Sequence, residues 1–187
     1  MQRTTLTLAT LSLVAALAGS ALAVEQTVMV GGQAMYPSRN IVQNAVNSKD
    51  HTTLVAAVKA AGLVDTLQSR GPFTVFAPTN AAFSELPPGT VDQLLQPAAK
   101  GTLTKVLTYH VVPGRYDSAR LRQLILAGNG QARLKTVEGD ILTVMMNGTN
   151  NIAVRDSKGD VANIVVYDVA QSNGEIFSID KVLMPAS

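Results

Sequence analysis

The spacing of apolar residues changes near Gly130, and this change limits the possible folds more than any other feature of the sequence. Before Gly130, apolar side chains recur every three or four residues, as in helices that bury one face. After Gly130 they recur every second residue in short runs, as in half-buried strands. Helices followed by strands predict an α+β fold, because a chain that forms a parallel α/β sheet alternates the two.

The part of the chain before Gly130 is predicted to be mainly helical. Thr79 is placed as a helix N-cap, and Thr90 with Gln93 three residues later has the form of a capping box. In the helix that Thr90 opens, Leu94 and Leu95 are expected on the buried side. The predicted helices cover residues 41–46, 54–61, 79–83, 90–95, 103–110 and 118–127, and one predicted strand covers residues 73–77.

The last third of the chain is predicted to be an antiparallel meander. Its runs of alternating apolar residues cover 132–137, 141–146, 152–155, 161–167, 175–179 and 182–184. Four dipeptides that favour hairpin turns separate most of these runs, namely Glu138-Gly139, Asn147-Gly148, Lys158-Gly159 and Asn173-Gly174. The turn also explains the Lys158-Gly159-Asp160 tripeptide, which has the form of a short adhesion motif.

The N-terminus has the pattern of a secretory signal peptide over residues 1–23. Arg3 is followed by an apolar run of about a dozen residues, too short to span a bilayer, and Ala21-Leu22-Ala23 provides the small residues that signal peptidase requires. Residues 24–39 show no clear period and are interpreted as a lead-in, so the folded domain is expected over 40–187. We therefore expect an exported protein, periplasmic or extracellular, without a transmembrane anchor.

Composition excludes several other classes of protein. The sequence has no cysteine, which excludes disulfides, thiolate metal sites, a cysteine nucleophile and a thioether-linked lipid anchor. Removing Arg3 from the 15 basic residues leaves 14 against 13 acidic ones, a net charge of +1. So small a charge gives no reason to expect binding to nucleic acid or an anionic membrane, and it suggests that docking is not electrostatic.

The side chains available for catalysis or metal binding are few. His51 follows Asp50 at a predicted helix start, where the aspartate is interpreted as a cap. His110 lies on the same apolar stripe as Leu103 and Leu107, so it is expected to be buried and neutral, and stability is expected to fall below about pH 6. No serine or acid stands at the spacing of a hydrolase triad, and two distant histidines do not form a metal site. We predict no catalytic residues, no metal and no cofactor.

Three segments together resemble the signature of fasciclin-like domains. They are Thr74-Val75-Phe76-Ala77-Pro78-Thr79-Asn80-Ala81-Ala82-Phe83, Tyr109-His110-Val111-Val112-Pro113-Gly114, and the closing segment from Asn173 to Pro185. Their order and spacing match over nearly the whole chain after residue 40. The resemblance implies a wedge of two mainly antiparallel β-sheets with a helical layer, and a non-enzymatic role in adhesion.

The resemblance also implies roles for particular residues. In animal members, the Tyr-His pair and an Asp followed by an aliphatic residue before the closing segment are linked to partner binding, which here gives Tyr109, His110, Asp168 and Val169. Thr79, Asn80, His110 and Asp180 are expected to be structural signature residues, with His110 bonded to the Asn80 segment. The expected partner is a cell-surface or matrix protein or polysaccharide. The alternative is a soluble periplasmic or secreted protein that binds a small ligand or polysaccharide.

Overall fold

The computed structural model describes residues 26–186, so the predicted signal peptide lies outside the described residues. Helices before strands are confirmed, and the fold is α+β. The helices are α1 (Ile41–Ala45), α2 (Thr52–Ala61), α3 (Val64–Gln68), α4 (Asn80–Ser84), α5 (Thr90–Leu94), α6 (Lys100–Tyr109) and α7 (Ser118–Ala127). The strands are β1 (Val28–Val30), β2 (Gln33–Met35), β3 (Phe73–Pro78), β4 (Val111–Pro113), β5 (Gln131–Lys135), β6 (Ile141–Asn147), β7 (Asn151–Arg155), β8 (Val161–Gln171) and β9 (Gly174–Ile179). Short 3-10 turns cover Lys49–His51 and Pro97–Ala99.

Strand β8 joins the two halves of the main sheet. The strand order is β4-β3-β9-β8-β7-β6-β5. The first residues of β8 pair with β7, and the residues from Ile164 to Gln171 pair with β9 across two register shifts. The meander prediction is confirmed from β5 to β9, where each successive pair is antiparallel. The long bulged strand therefore bends a continuous hydrogen-bonded sheet into two packing surfaces.

Two pairings in the sheet were not predicted: the antiparallel pairing of β3 with β4 and the parallel pairing of β3 with β9. Strand β3 runs parallel to β9, with Phe73 opposite Gly174 and Phe76 opposite Phe177. The rings of Phe76 and Phe177 stack with their centroids 5.7 Å apart. A parallel pair needs a long connection, and the whole segment from α4 to β8 provides it. Apolar spacing within β3 carries no information about a partner a hundred residues away.

Two hydrophobic clusters form the core. The helical-layer cluster lies among α1, α2, α6, β3 and β9 and includes Ile41, Leu54, Leu103, Leu107, Val75 and Ile176. The second cluster lies between α7 and the curved half of the sheet and includes Tyr109, Leu121, Ile125, Leu142, Val144 and Phe177. A chain without disulfides thus obtains its stability from two apolar layers, one on each packing surface.

Several helix predictions are confirmed, and one capping prediction is wrong. Helix α7 has the predicted bounds, and α2 ends at Gly62 in the left-handed conformation with φ of 75°. The capping box at Thr90 does not form, because Gly89 is the N-cap of α5 and no side chain caps that helix. Leu94 and Leu95 are only half-buried, since α5 is a single short turn on the outside of the helical layer.

The predictions for the two ends of the domain also need correction. Residues 24–39 were interpreted as a lead-in to the folded domain, yet β1 and β2 pair as a hairpin across Gly31 and Gly32, both with positive φ. Val30 and Met35 on this hairpin are buried in the helical-layer cluster. Strands of three residues are too short to show a period in the sequence. The predicted strand over 182–184 is absent, and that segment packs against the sheet as irregular chain.

Candidate functional site

Tyr109 is a buried support for the curved half of the sheet. Its side chain is fully buried at the end of α6. The hydroxyl oxygen accepts a hydrogen bond from the Ser157 backbone N–H at 2.9 Å and donates one to the Ile141 carbonyl at 3.1 Å. Burial raises the pKa of Tyr109, so the phenol remains protonated. Tyr109 therefore ties α6 to β6 and to the turn that begins after β7.

His110 joins α6 to the closing segment. Its Nδ1 lies 2.8 Å from the Val106 carbonyl and its Nε2 lies 2.9 Å from the Leu183 backbone N–H. These partners fix the tautomer, because Nδ1 must donate to the carbonyl and Nε2 must accept from the amide. Burial lowers the pKa of His110 to about 4, while the Val106 carbonyl and Asp156 oppose the shift. The expected hydrogen bond from His110 to the Asn80 segment is absent, since both ring nitrogens are already engaged.

Asp168 and Val169 lie at the bulge in β8. Asp168 has a positive φ of 53°, and its carboxylate accepts from the Ser118 backbone N–H at 2.6 Å and from the Ser118 hydroxyl at 2.5 Å. Asp117 accepts a hydrogen bond from the Arg120 N–H at 2.7 Å. Asp168 and Asp117 together therefore provide acceptors for the free backbone N–H groups in the first turn of α7. Val169 is buried in the helical-layer cluster. The bulge thus turns the carboxylate towards α7.

An ion pair beside Asp168, between the buried Glu175 and Arg115, whose side chain is 42% exposed, was not predicted from the sequence. Glu175 is 4% exposed, and its Oε2 lies 3.3 Å from Nη1 of Arg115, whose Nη2 donates to the Gln171 carbonyl at 2.6 Å. Burial raises the pKa of Glu175 to about 7; Arg115 opposes this shift, and Asp168 and Asp117 add to it. The sequence held one clue, because the apolar neighbours of Glu175 on β9 indicate a strand buried on both faces.

The structural signature residues hold separate elements together. Thr79 caps α4 by accepting from the Ala82 N–H at 3.3 Å. Asn80 accepts from the Thr53 N–H at 3.0 Å and donates to the Lys49 carbonyl at 2.8 Å, so it holds the start of α2. Asp180 accepts from the Asn163 backbone N–H at 2.7 Å, which connects the end of β9 to β8.

The predicted cap by Asp50 is wrong. No side chain of the preceding 3-10 turn caps α2, and the Asn80 amide from α4 takes that place because α4 packs against the turn. His51 is buried, with Nδ1 2.9 Å from the Ser48 hydroxyl, and its Nε2 makes no hydrogen bond of normal geometry within the described residues. Burial lowers the pKa of His51, while Asp50 and the Ala77 backbone oppose the shift.

The predicted partner-binding residues do not form one exposed patch. Tyr109 belongs to the second cluster and Val169 to the helical-layer cluster, while His110 is 2% exposed. Asp168 is half-buried and engaged with Ser118. In the folded state, a partner can reach at most the edge of Asp168. Apart from the bond of His110 to Val106 within α6, the hydrogen bonds of these residues connect separate elements of the fold.

A basic groove lies on the outer face of β5, β6 and β7. Arg133 is opposite Thr143, and Thr143 is opposite Arg155, so the three form a row across the strands. Lys158 and Gln131 also line this open groove. Arg155 donates to the Gln131 side chain at 3.2 Å, whereas Arg133 makes no hydrogen bond or ion pair within residues 26–186. The alternation of residues along each strand predicted which side chains face outwards. It did not predict the strand register that places Arg133 and Arg155 on either side of Thr143.

The turn beside the basic groove is rigidly held. One oxygen of the buried Asp156 carboxylate accepts from the backbone N–H groups of Lys158 and Asp160, each at 2.9 Å. The other accepts from the Met184 N–H, also at 2.9 Å. The buried Tyr109 hydroxyl also accepts from the Ser157 N–H, so the turn is held on the side that faces the core. Among the described residues, no group of acidic residues and histidines could hold a metal ion, and no helix has the length and hydropathy needed to cross a bilayer.

Comparison with known proteins gives consistent matches over most of the chain. The family profile of the Fasciclin domain matches residues 49–185. Protein sll1483 of Synechocystis is 42% identical over 163 residues, which are 86% of this chain and 82% of that protein. Immunogenic protein MPB70 of Mycobacterium bovis is 40% identical over 146 residues, covering 75% of this chain and 66% of that protein. Cell surface glycolipoprotein MPB83 of the same species is 35% identical, covering 83% of this chain and 64% of that protein.

A solved structure supports the fold. A FAS1 domain pair from the insect cell adhesion molecule Fasciclin I superposes with a TM-score of 0.71, covering 86% of this chain and 58% of that chain. The sequence identity is 16%, so the two share a fold although few residues are the same.

Proposed function

This chain belongs to the fasciclin domain family, which includes adhesion-related proteins, and on that premise we propose that it is a non-enzymatic, exported adhesion module. It binds a cell-surface or extracellular-matrix component, and it acts in the periplasm or outside the cell. A relative that is named a cell-surface protein supports such a location. The family is generally a non-enzymatic domain of the adhesion type.

The observation that carries the proposal is a polar row on the outer face of the sheet, in which Arg133 is exposed and Thr143 and Arg155 are half-buried. Arg133, Thr143 and Arg155 are fixed in register on three strands, so binding them costs little backbone ordering. Arginine forks suit carboxylate, sulfate or phosphate groups, which are common on surface polysaccharides and acidic proteins. The buried Tyr109 and His110 support the fold beneath this surface, and the turn that borders the basic groove is held by Asp156 as well as by the Tyr109 hydroxyl.

The test is the attachment of cells to surfaces coated with the purified protein. Suspended bacterial cells and cultured animal cells are washed over the coating and over an albumin coating of equal density. The proposal predicts retention above albumin that declines as salt is raised from 50 to 500 mM, roughly the range over which exposed charges become screened. Retention no higher than on albumin for either type of cell would contradict it.

The alternative of a soluble ligand-binding protein has one specific observation in its favour. An apolar cavity lies between the helical layer and the sheet, away from the basic groove. The two roles use different surfaces, so one does not exclude the other.

A further inference from the structure

The basic groove has the size of a site for a short oligosaccharide. Its volume is about 660 Å³. The outer face of β5, β6 and β7 forms its floor, and the turn after β7 forms one wall. Sites for small molecules have volumes of roughly 300–1,000 Å³, so the groove accommodates about three sugar rings of an extended chain. Because the groove is open, the rest of such a chain can continue into solvent on either side.

The lining of the groove carries an excess of positive charge. Three basic residues, Arg133, Arg155 and Lys158, line it together with one acidic residue, Asp156, so its formal charge is +2. The Asp156 carboxylate is buried and accepts hydrogen bonds from three backbone N–H groups, which face it in place of a ligand. Neither of the ion pairs found in residues 26–186 includes any of the three basic side chains. The groove therefore favours a negatively charged ligand.

Two arginine side chains border the same part of the groove. Arg155 on β7 donates to the Gln131 side chain on β5 at 3.2 Å, so its side chain reaches across β6. Arg133 lies two residues from Gln131 and therefore on the same face of β5, opposite Thr143. A guanidinium fork matches the two oxygens of a carboxylate with parallel hydrogen bonds. The position of Arg155 thus places a carboxylate site above β6, beside Thr143.

The groove offers many hydrogen-bond donors and few free acceptors, which favours a polysaccharide over a peptide. The Gln131 side-chain oxygen already accepts from Arg155, and both carboxylate oxygens of Asp156 accept from backbone N–H groups. A peptide carries a backbone N–H for nearly every carbonyl and finds few acceptors here. Strand β6 is paired on both sides, so the floor has no strand edge to which a peptide could add. The oxygens of a sugar acid accept from the donors that arginine and lysine provide.

We propose that the basic groove binds a linear polysaccharide of uronic acids, with one carboxylate held by Arg133 and Arg155 and a ring hydroxyl at Thr143. This inference rests on the proposed function, because it names the partner class of the same groove. Charge complementarity selects the acid, and the scarcity of acceptors selects the sugar. Since the arginines are partly solvated, we expect a short segment to bind with a Kd on the order of 0.1–1 mM.

The test is isothermal titration calorimetry of the purified protein with trigalacturonate in 50 mM salt. Two control ligands are matched to it. The methyl ester of trigalacturonate keeps the shape and removes the charges, and N-acetyl triglutamate amide keeps three carboxylates on a peptide. Wild type should bind trigalacturonate at one site and each control ligand at least about fivefold more weakly. A control ligand that binds as tightly as trigalacturonate would overturn the proposal, as would no binding of trigalacturonate.

Substitutions of the arginines locate the site. Arg133→Gln and Arg155→Gln should each weaken trigalacturonate binding about fivefold to tenfold. Arg133→Lys keeps the charge but loses the fork, so it should weaken binding about twofold to fivefold. Arg70 is exposed in the helical part of the chain, and Arg70→Gln should bind as wild type does. Thermal melts establish that each variant is folded. Equal affinities for Arg133→Gln, Arg155→Gln and Arg70→Gln would overturn the assignment to this groove.

Calorimetry and cell attachment separate this inference from the adhesion role. Attachment of cells to the coated protein, without binding of trigalacturonate in solution, would overturn the polyuronate assignment and leave the adhesion module standing. Binding of trigalacturonate that depends on Arg133 and Arg155, without attachment of cells, would support the polyuronate assignment and contradict the adhesion role.

Discussion

Single residues carry two opposing dependences of stability on pH. His110 has a folded-state pKa of about 4 against 6.5 for the free side chain, so the unfolded chain binds more protons between these values and stability falls as pH drops through them. Glu175 has a folded-state pKa of about 7 against 4.5, so the folded chain binds more protons and stability falls as pH rises through that range. The fall below about pH 6 expected from the sequence considered only the histidine.

We therefore expect the wild-type free energy of unfolding to vary little between pH 5 and 7, with the histidine effect visible only when Glu175 is replaced by a residue that does not titrate. In Glu175→Gln, stability should fall by about 2 kcal/mol from pH 7 to pH 5, which follows from the two pKa values of His110. Urea denaturation at both pH values measures this difference. Adding His110→Gln should remove most of it, leaving the smaller effect of His51. A Glu175→Gln variant with no loss of stability at pH 5 would show that His110 takes up a proton without unfolding.

Asn80 replaces Asp50 as the residue that caps α2. Asn80→Ala removes the acceptor for the Thr53 N–H and the donor to the Lys49 carbonyl, and we expect a loss of about 1–2 kcal/mol. Asp50→Ala should change stability by no more than about 0.5 kcal/mol, because Asp50 is exposed and its side chain does not cap α2. The midpoints of urea denaturation distinguish the two residues. Equal losses of stability for the two variants would indicate that Asp50 does cap α2.

At the scale of elements, local patterns predicted most helices and strands, and long-range pairing decided the rest. The bounds of α7 and the order of β5 to β9 follow from spacing and turn residues alone. The parallel contact of β3 with β9 does not, because nothing in either strand specifies its neighbour. The hydrogen bonds of Asn173 also join residues far apart in the sequence, which local patterns do not predict. The sequence predicted a turn residue, but its side chain also bonds to Ile41 in α1 and to the carbonyls of Leu67 and Ser69.

Gly174 tests the β3–β9 pairing. A Cβ at this position would collide with the Phe73 carbonyl oxygen on the neighbouring strand. Gly174→Ala should therefore cost about 1–3 kcal/mol through overpacking. Gly101 in α6 has open space around it, so Gly101→Ala should raise stability by about 0.5–1 kcal/mol. Thermal unfolding of both variants measures the contrast, and a Gly174→Ala variant as stable as wild type would contradict the close approach of the two strands.

At the scale of the whole molecule, net charge and family resemblance each predicted only part of the candidate site. The net charge near zero suggested that docking is not electrostatic, yet two arginines share one row because of strand register. The resemblance selected Tyr109, His110, Asp168 and Val169, whose contacts are mainly internal. The burial of His110 could be predicted from the sequence, because it lies on the same face of the predicted helix as Leu103 and Leu107. The role of Asp168 depends on a bulge that no sequence pattern indicated.

We infer that a partner binds the outer basic face, and that Tyr109, His110, Asp168 and Val169 support the fold beneath it. Cell attachment measured on coatings of matched variants tests this most directly. Tyr109→Phe and Asp168→Asn preserve the buried packing and the positive φ, while Arg133→Glu with Arg155→Glu reverses the basic row. Arg70→Glu with Lys100→Glu makes the same change in net charge at exposed positions in the helical part of the chain.

Circular dichroism first establishes that each variant is folded at the assay temperature. We predict that attachment on the Arg133→Glu and Arg155→Glu coating falls to the albumin level. The Tyr109→Phe, Asp168→Asn and Arg70→Glu with Lys100→Glu coatings should retain cells as wild type does. Loss of attachment in folded Tyr109→Phe or Asp168→Asn, with full attachment after reversal of the basic row, would contradict the account.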